Sequence, residues 1–197
     1  MNKALRSLAL PALLFATPAL AHTGQDDASG LVHGFLHPIG GLDHVLAMVA
    51  VGLIAAQLGG RALRLVPVAF LAMMALGGAL GAAGLALPFV EFGIALSVVV
   101  LGVLVALNLP LPIAGSMILV GAFATFHGYA HGAEMPAAAS GLAYGLGFVA
   151  ATALLHAAGI GLGLLAGRSG GALGRPALQV GGAGLAAAGA ALLVGAL

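Results

Sequence analysis

Residues 89–107 read FVEFGIALSVVVLGVLVAL, nineteen residues with one ionisable group, Glu91, set between Leu87-Pro88 and Asn108-Leu109-Pro110. A hydrocarbon core about 30 Å thick is crossed by roughly 20 apolar residues of helix. The stretch has that length and lacks the period-two alternation of a half-buried strand. It predicts a transmembrane helix, and the same pattern recurs on both sides of it.

Breaks at Gly59-Gly60-Arg61, Leu87-Pro88, Asn108-Leu109-Pro110, Gly132 to Pro136 and Gly167 to Arg175 divide the chain into six apolar segments. They lie at about 31–58, 63–86, 89–107, 112–130, 137–166 and 175–197. The fold class this predicts is all-α, a polytopic membrane helical bundle with six transmembrane helices, and not a barrel. Composition agrees. The 197 residues are 62% hydrophobic and 6% charged, with a mean hydropathy of +1.20, where a soluble domain carries about 25% charged residues. That excludes a soluble globular enzyme, a basic-faced nucleic-acid binder and a disordered chain. The absence of cysteine excludes disulfides, thiolate metal sites and a cysteine nucleophile. The 33 glycines follow no collagen period and favour close helix approach. Small residues four apart, at Gly77/Gly81, Gly128/Gly132 and Gly141/Gly145, predict close crossings.

The first 21 residues, MNKALRSLALPALLFATPALA, are expected to leave the mature protein. Lys3 and Arg6 form a positive start, Leu8 to Phe15 a short apolar run, and Ala19-Leu20-Ala21 a small-x-small cleavage signal. Residues 22–197 would then form a single transmembrane transport domain, beginning at His22 on the outside of a bacterial inner membrane. Without Lys3 and Arg6, four basic residues face five acidic ones, and the formal charge passes from +1 to −1. The four are Arg61, Arg64, Arg168 and Arg175, in or beside the two connections that this start assigns to the cytoplasm. That is the positive-inside pattern, reached without reference to the signal peptide. Asp26, Asp27, Glu91 and Glu134 fall on the outer side.

Seven histidines stand in a chain with eleven charged residues. An ionisable group within a membrane segment is expensive unless paired or placed against a wet cavity. The first cluster is His33-Gly-Phe-Leu-His37-Pro-Ile-Gly-Gly-Leu-Asp43-His44. On a continuous helix of about 100° per residue His37 and His44 share a face, with His33 and Met48 near it. Asp43 lies about 80° away, either as a neighbouring ligand or as an acceptor that fixes a histidine tautomer. Pro38, Gly40 and Gly41 weaken the helix and could open a broken-helix site. The second cluster, His127-Gly-Tyr-Ala-His131-Gly-Ala-Glu134, places two imidazoles and a carboxylate at i, i+4 and i+7. Gly132 and Pro136 point to a helix end here, with Glu134 in the outer loop. Both clusters begin His-Gly-aromatic-x-His, a weak internal repeat. His156 stands apart, as a ligand or as a packed core residue.

Nitrogen and oxygen donors without thiolate suit Ni²⁺, Co²⁺, Zn²⁺ or Cu²⁺. Too few carboxylates are present for Mg²⁺. A free α-amine on His22 with its own imidazole would add a chelate, and Asp26 and Asp27 are either cation attractors or a solvated tail.

At these residues the sequence resembles the HupE/UreJ family of small nickel/cobalt permeases. That family is marked by His-Pro-x-x-Gly-x-Asp-His in the first mature helix and His-Gly-x-x-His-Gly-x-Glu near the fourth. Here they stand as His37-Pro38-Ile39-Gly40-Gly41-Leu42-Asp43-His44 and His127-Gly128-Tyr129-Ala130-His131-Gly132-Ala133-Glu134. The Ala21-His22 start looks like the family too. The resemblance spans the chain and implies that His37, Asp43, His44, His127, His131 and Glu134 carry metal recognition; His33 and His22 are further candidate ligands from their positions alone. It implies uptake of Ni²⁺ or Co²⁺ from periplasm to cytoplasm.

No Walker A motif is present, so the membrane potential would drive such transport. Two charges crossing fully gain about 4.6 kcal/mol per 100 mV. No enzyme activity is expected. Ser140 and His156 lack a nucleophile elbow and stand sixteen residues apart on one helix. The expected partners are the lipid bilayer and a transition-metal ion. No cofactor beyond that ion and no nucleic acid is expected, and homo-oligomerisation is left open. The alternative is a membrane metal sensor or metalloenzyme accessory protein that binds without transporting. Because the chain has no cysteine of its own, orientation can be read directly. Arg61→Cys and Arg168→Cys should resist an impermeant thiol reagent in intact cells, and labelling at either would reverse the topology.

Overall fold

The computed structural model describes residues 27–135, 140–168 and 173–195. The expected leader 1–21, His22 and Asp26 lie outside the described residues. Seven α-helices follow one another: α1 Asp27–Gly40, α2 Leu42–Leu58, α3 Ala62–Ala82, α4 Val90–Leu107, α5 Ile113–Ala133, α6 Gly141–Arg168 and α7 Gly174–Gly195. α3 to α7 are each long and apolar enough to cross a membrane, and α1 with α2 makes a sixth, bent candidate. Large apolar side chains such as Ile118, Leu142, Val180 and Val194 are exposed around the bundle, more than half of each. Hydrocarbon accepts that surface and water does not.

The first expected span is two helices meeting at 83°. Pro38, in the last turn of α1, brings no backbone N–H to the helix ladder. Gly41 then leaves the helix in an extended conformation, φ −96° and ψ 118°. Its carbonyl restarts the ladder by accepting the N–H of Val45 at 3.0 Å. Other boundaries shift less. α3 stops at Ala82, short of the expected 86, before Gly84 turns the chain at φ 69°. α5 runs on to Ala133, so His131 and Gly132 are helical and only Glu134 caps the end.

From α2 onward, short connections make successive helices antiparallel. The N-termini of α3 and α7 and the C-terminus of α6 therefore carry Arg61, Arg64, Arg168 and Arg175 to one end. α1, the start of α2 and the end of α5 gather at the other. These are the arginine end and the histidine end of the bundle.

Packing between helices relies on backbone contact. Gly77 faces Thr125 and Gly81 faces Tyr129, so α3 and α5 run side by side in the same direction. A Cβ on Gly128 would collide with the Met74 carbonyl, and one on Gly132 with the Gly78 carbonyl. Two of the three small-x-x-x-small pairs thus pack against each other. The third does not make a crossing: a Cβ on Gly145 would meet nothing within 4 Å, and one on Gly141 only the Met135 side chain. The 28-residue α6 is long enough to back both halves of the bent pair. Leu31 lies against Gly147, and Val49 against Gly159. Between these layers sits a core of Met48, Val51, Phe70, Met74, Leu101 and Val120.

Gly128→Ala should force α3 and α5 apart and lower stability by about 1–3 kcal/mol, read as a fall in Tm of the purified protein. Gly145→Ala, which meets no neighbour, should leave Tm unchanged or slightly raised.

Candidate metal site at the histidine end

The histidine end opens into a cavity of about 490 Å³ lined by His33, His37, Asp43, His44, Glu91, His131 and Glu134 among others. α1, α2, α4 and α5 each contribute, so His33 and Glu134, 101 positions apart, share one cavity.

α2 begins immediately after the break, and its first N–H groups have no partner within the helix. Asp43 meets one of them: its Oδ1 accepts the His44 N–H at 2.8 Å. The same oxygen lies 2.6 Å from His44 Nδ1. The carboxylate therefore accepts a hydrogen bond from Nδ1–H and leaves Nε2 with its lone pair free, the arrangement that carboxylates impose on metal-ligating histidines. His44 Nε2 is buried and has no hydrogen-bond partner among the described residues. Of the two roles open to Asp43, this geometry favours the acceptor. Gly41 makes room for it. A Cβ there would stand 2.8 Å from Asp43 Oδ1 and 2.9 Å from His44 Nδ1.

His131, at 5% exposure, occupies the centre, and neither ring nitrogen has a hydrogen-bond partner among the described residues. His37 meets it edge-on at 4.7 Å between ring centroids, and His44 at 4.2 Å. On the outer side His37 Nε2 lies 3.3 Å from Glu134 Oε2. His37, His131 and Glu134 each offer one ligand atom within 4.8 Å of the others, a set that could hold a metal ion. Around an ion with bonds of about 2.0–2.1 Å the donors stand roughly 3–3.5 Å apart. The widest pair would need to close by up to roughly 1.5 Å, which side-chain rotation can supply. His33 is exposed on α1 and lines the cavity outside this group.

His37 and His44 do not share a helix face, because the 83° bend separates them. They meet through His131, which touches both rings. His127 is fully buried one turn deeper on α5 and meets His44 at 4.7 Å, ring to ring. Ser97 of α4 donates its hydroxyl to the Ile94 carbonyl at 2.6 Å. With its one proton so used, Ser97 Oγ accepts from His127 Nε2–H at 2.8 Å. His127 Nδ1 is left as an acceptor without a partner among the described residues. That polarity is also the reverse of what a serine nucleophile needs, since the histidine gives a proton and takes none.

Ser97 and Glu91 complete the site, and neither was singled out as a functional residue from the sequence. The signal was present in the quoted segment 89–107, where they are the acid and the hydroxyl of an otherwise apolar span. Tyr144 is a third addition. Its ring lies 5.9 Å from that of His37, and its buried hydroxyl has no partner among the described residues.

A family model described as HupE / UreJ protein matches residues 10–192. The chain belongs to the HupE/UreJ family. It is 50% identical over 191 residues to Protein HupE of Rhizobium leguminosarum bv. viciae, covering 97% of this chain and 95% of that protein. No solved structure matches the chain. Family membership extends over both histidine motifs and the helices between them.

Gly41 supplies a test of the positioning argument. Gly41→Ala should lower Co²⁺ affinity roughly 10–100-fold, the usual loss when a ligand's outer partner is disturbed. Gly40→Ala is the control, because a Cβ there meets nothing within 4 Å. Titration calorimetry on purified protein reads both.

Proposed function

We propose that this protein is a permease that takes up Ni²⁺ or Co²⁺ from the periplasm into the cytoplasm across the bacterial inner membrane. One observation supports this above others. Two histidine motifs far apart in sequence converge on a single cavity at the end of the bundle opposite the arginines. In this reading the leader 1–21 is removed, His22 starts the mature chain outside, and the histidine end faces the periplasm. His33, Glu134 and His37 gather the hydrated ion. His131 and His44, with Asp43 behind it, replace its water by imidazole nitrogen. His127 takes it deeper. Exchangeable neutral donors hold an ion firmly enough to admit it and loosely enough to release it. The membrane potential, negative inside, drives the step.

Purified protein in liposomes should accumulate Co²⁺ when a potassium diffusion potential makes the interior negative. His131→Ala, which deletes the imidazole shared by both motifs, should reduce the initial rate at least tenfold. If wild-type protein binds Co²⁺ but liposomes stay empty, the chain is a membrane sensor or accessory protein and not a permease.

A further inference from the structure

One interior histidine has no task in the site just described. His156 of α6 is 2% exposed, and neither ring nitrogen has a hydrogen-bond partner among the described residues. A histidine kept for packing finds a partner for its N–H, since an unpaired polar atom is penalised in a low-dielectric interior. The neighbours of His156 are of another kind. Phe70 of α3 meets its ring edge-on, with centroids 5.1 Å apart. One turn back along α6, buried Thr152 donates its hydroxyl to Met74 Sδ at 3.7 Å. α3 and α6 run in opposite directions, so Phe70–His156 and Met74–Thr152 are successive rungs of one seam. An imidazole, a hydroxyl and a thioether thus share the seam, with no charge among them.

We propose that His156, Thr152 and Met74 form an inner cation station, a second stop for a divalent transition-metal ion on its way through the bundle. This rests on the transport reading above. Imidazole nitrogen with thioether sulfur suits borderline first-row ions and not Mg²⁺ or Ca²⁺. With no carboxylate to neutralise the ion, the station binds more weakly than the outer cluster, as release towards the cytoplasm requires. Its position fits. Rings in contact run inward from His131 to His44, His127, Phe70 and His156. Beyond them the arginine end has a second cavity of about 250 Å³, whose polar lining is Gln57, Asn108, Arg175 and Gln179. Among the described residues His156 is the last histidine or acid before that cavity.

The test pairs His156→Leu with His156→Met, side chains of similar volume that differ in a sulfur donor. Full-length protein in lipid nanodiscs should bind two Co²⁺ per chain at saturation. His156→Leu should bind one, with the affinity of the tighter ion unchanged, and its Co²⁺ uptake in liposomes should fall at least tenfold. His156→Met should keep the second ion and most of the uptake. His156→Leu should melt no lower than wild type, because it breaks no hydrogen bond, so its loss is not unfolding. X-ray absorption at the cobalt edge should show a sulfur neighbour that Met74→Leu removes. Wild-type stoichiometry and uptake in His156→Leu, with uptake abolished by His131→Ala, would overturn the station and leave the permease standing. Equal loss of uptake in the Leu and Met variants, with one ion per chain in the wild type, would also overturn it. If the wild type neither binds nor transports Co²⁺, both readings fall.

Discussion

A helix that breaks within a membrane exposes backbone groups that hydrocarbon cannot solvate. At Gly41 the chain meets this demand with its own side chain. Asp43 folds back to accept the His44 N–H, and the same oxygen holds the His44 ring by Nδ1. One carboxylate thereby completes the start of α2 and leaves the Nε2 lone pair of a cavity-lining histidine free. The arrangement requires a residue without a Cβ at the break, because any other would occupy the space of the two side chains. The bend itself tips α1 over the end of the bundle, which brings His37 to His131 and Glu134.

Glycine has a different role in the body of the bundle. In lipid there is little hydrophobic drive for helices to associate, so contact area and close approach decide packing. α3 and α5 touch backbone to backbone, as do α2 and α6 at Gly52 and Gly159. These narrow seams set the rings of α2, α3, α5 and α6 against one another. His44, His127 and His156 are all buried. They sit at successive depths in a core built largely of Ala, Val, Leu, Met, Ile and Phe.

Much of the site was legible in the two motifs, and the reason is local. His131 at the end of α5 and its cap Glu134 are three residues apart, so their spacing alone brings them together, whereas His127 lies a turn deeper, bonded to Ser97. Pro38, Gly40 and Gly41 announced a weakened helix, and the break occurs there. The shared face of His37 and His44 was misread because rotation per residue applies only along a continuous helix. Gly141/Gly145 was misread for a related reason. Spacing says that two small residues share a face, but not that another backbone lies against it.

From sequence alone, apolar length and the lack of charge determine a helical membrane bundle, since a surface of this composition is tolerated by hydrocarbon and not by water. The positions of arginine and of the histidine motifs likewise assign them to opposite ends. Only the tertiary structure decides which donors meet. His37 and His44 are joined by His131 across the bend, Ser97 sets the tautomer of His127, and Met74 faces Thr152 above His156. Each of these contacts crosses between helices. Helical periodicity determines the direction of a side chain about its own axis, whereas the partner it finds depends on how neighbouring axes are rotated and shifted, which is settled by packing.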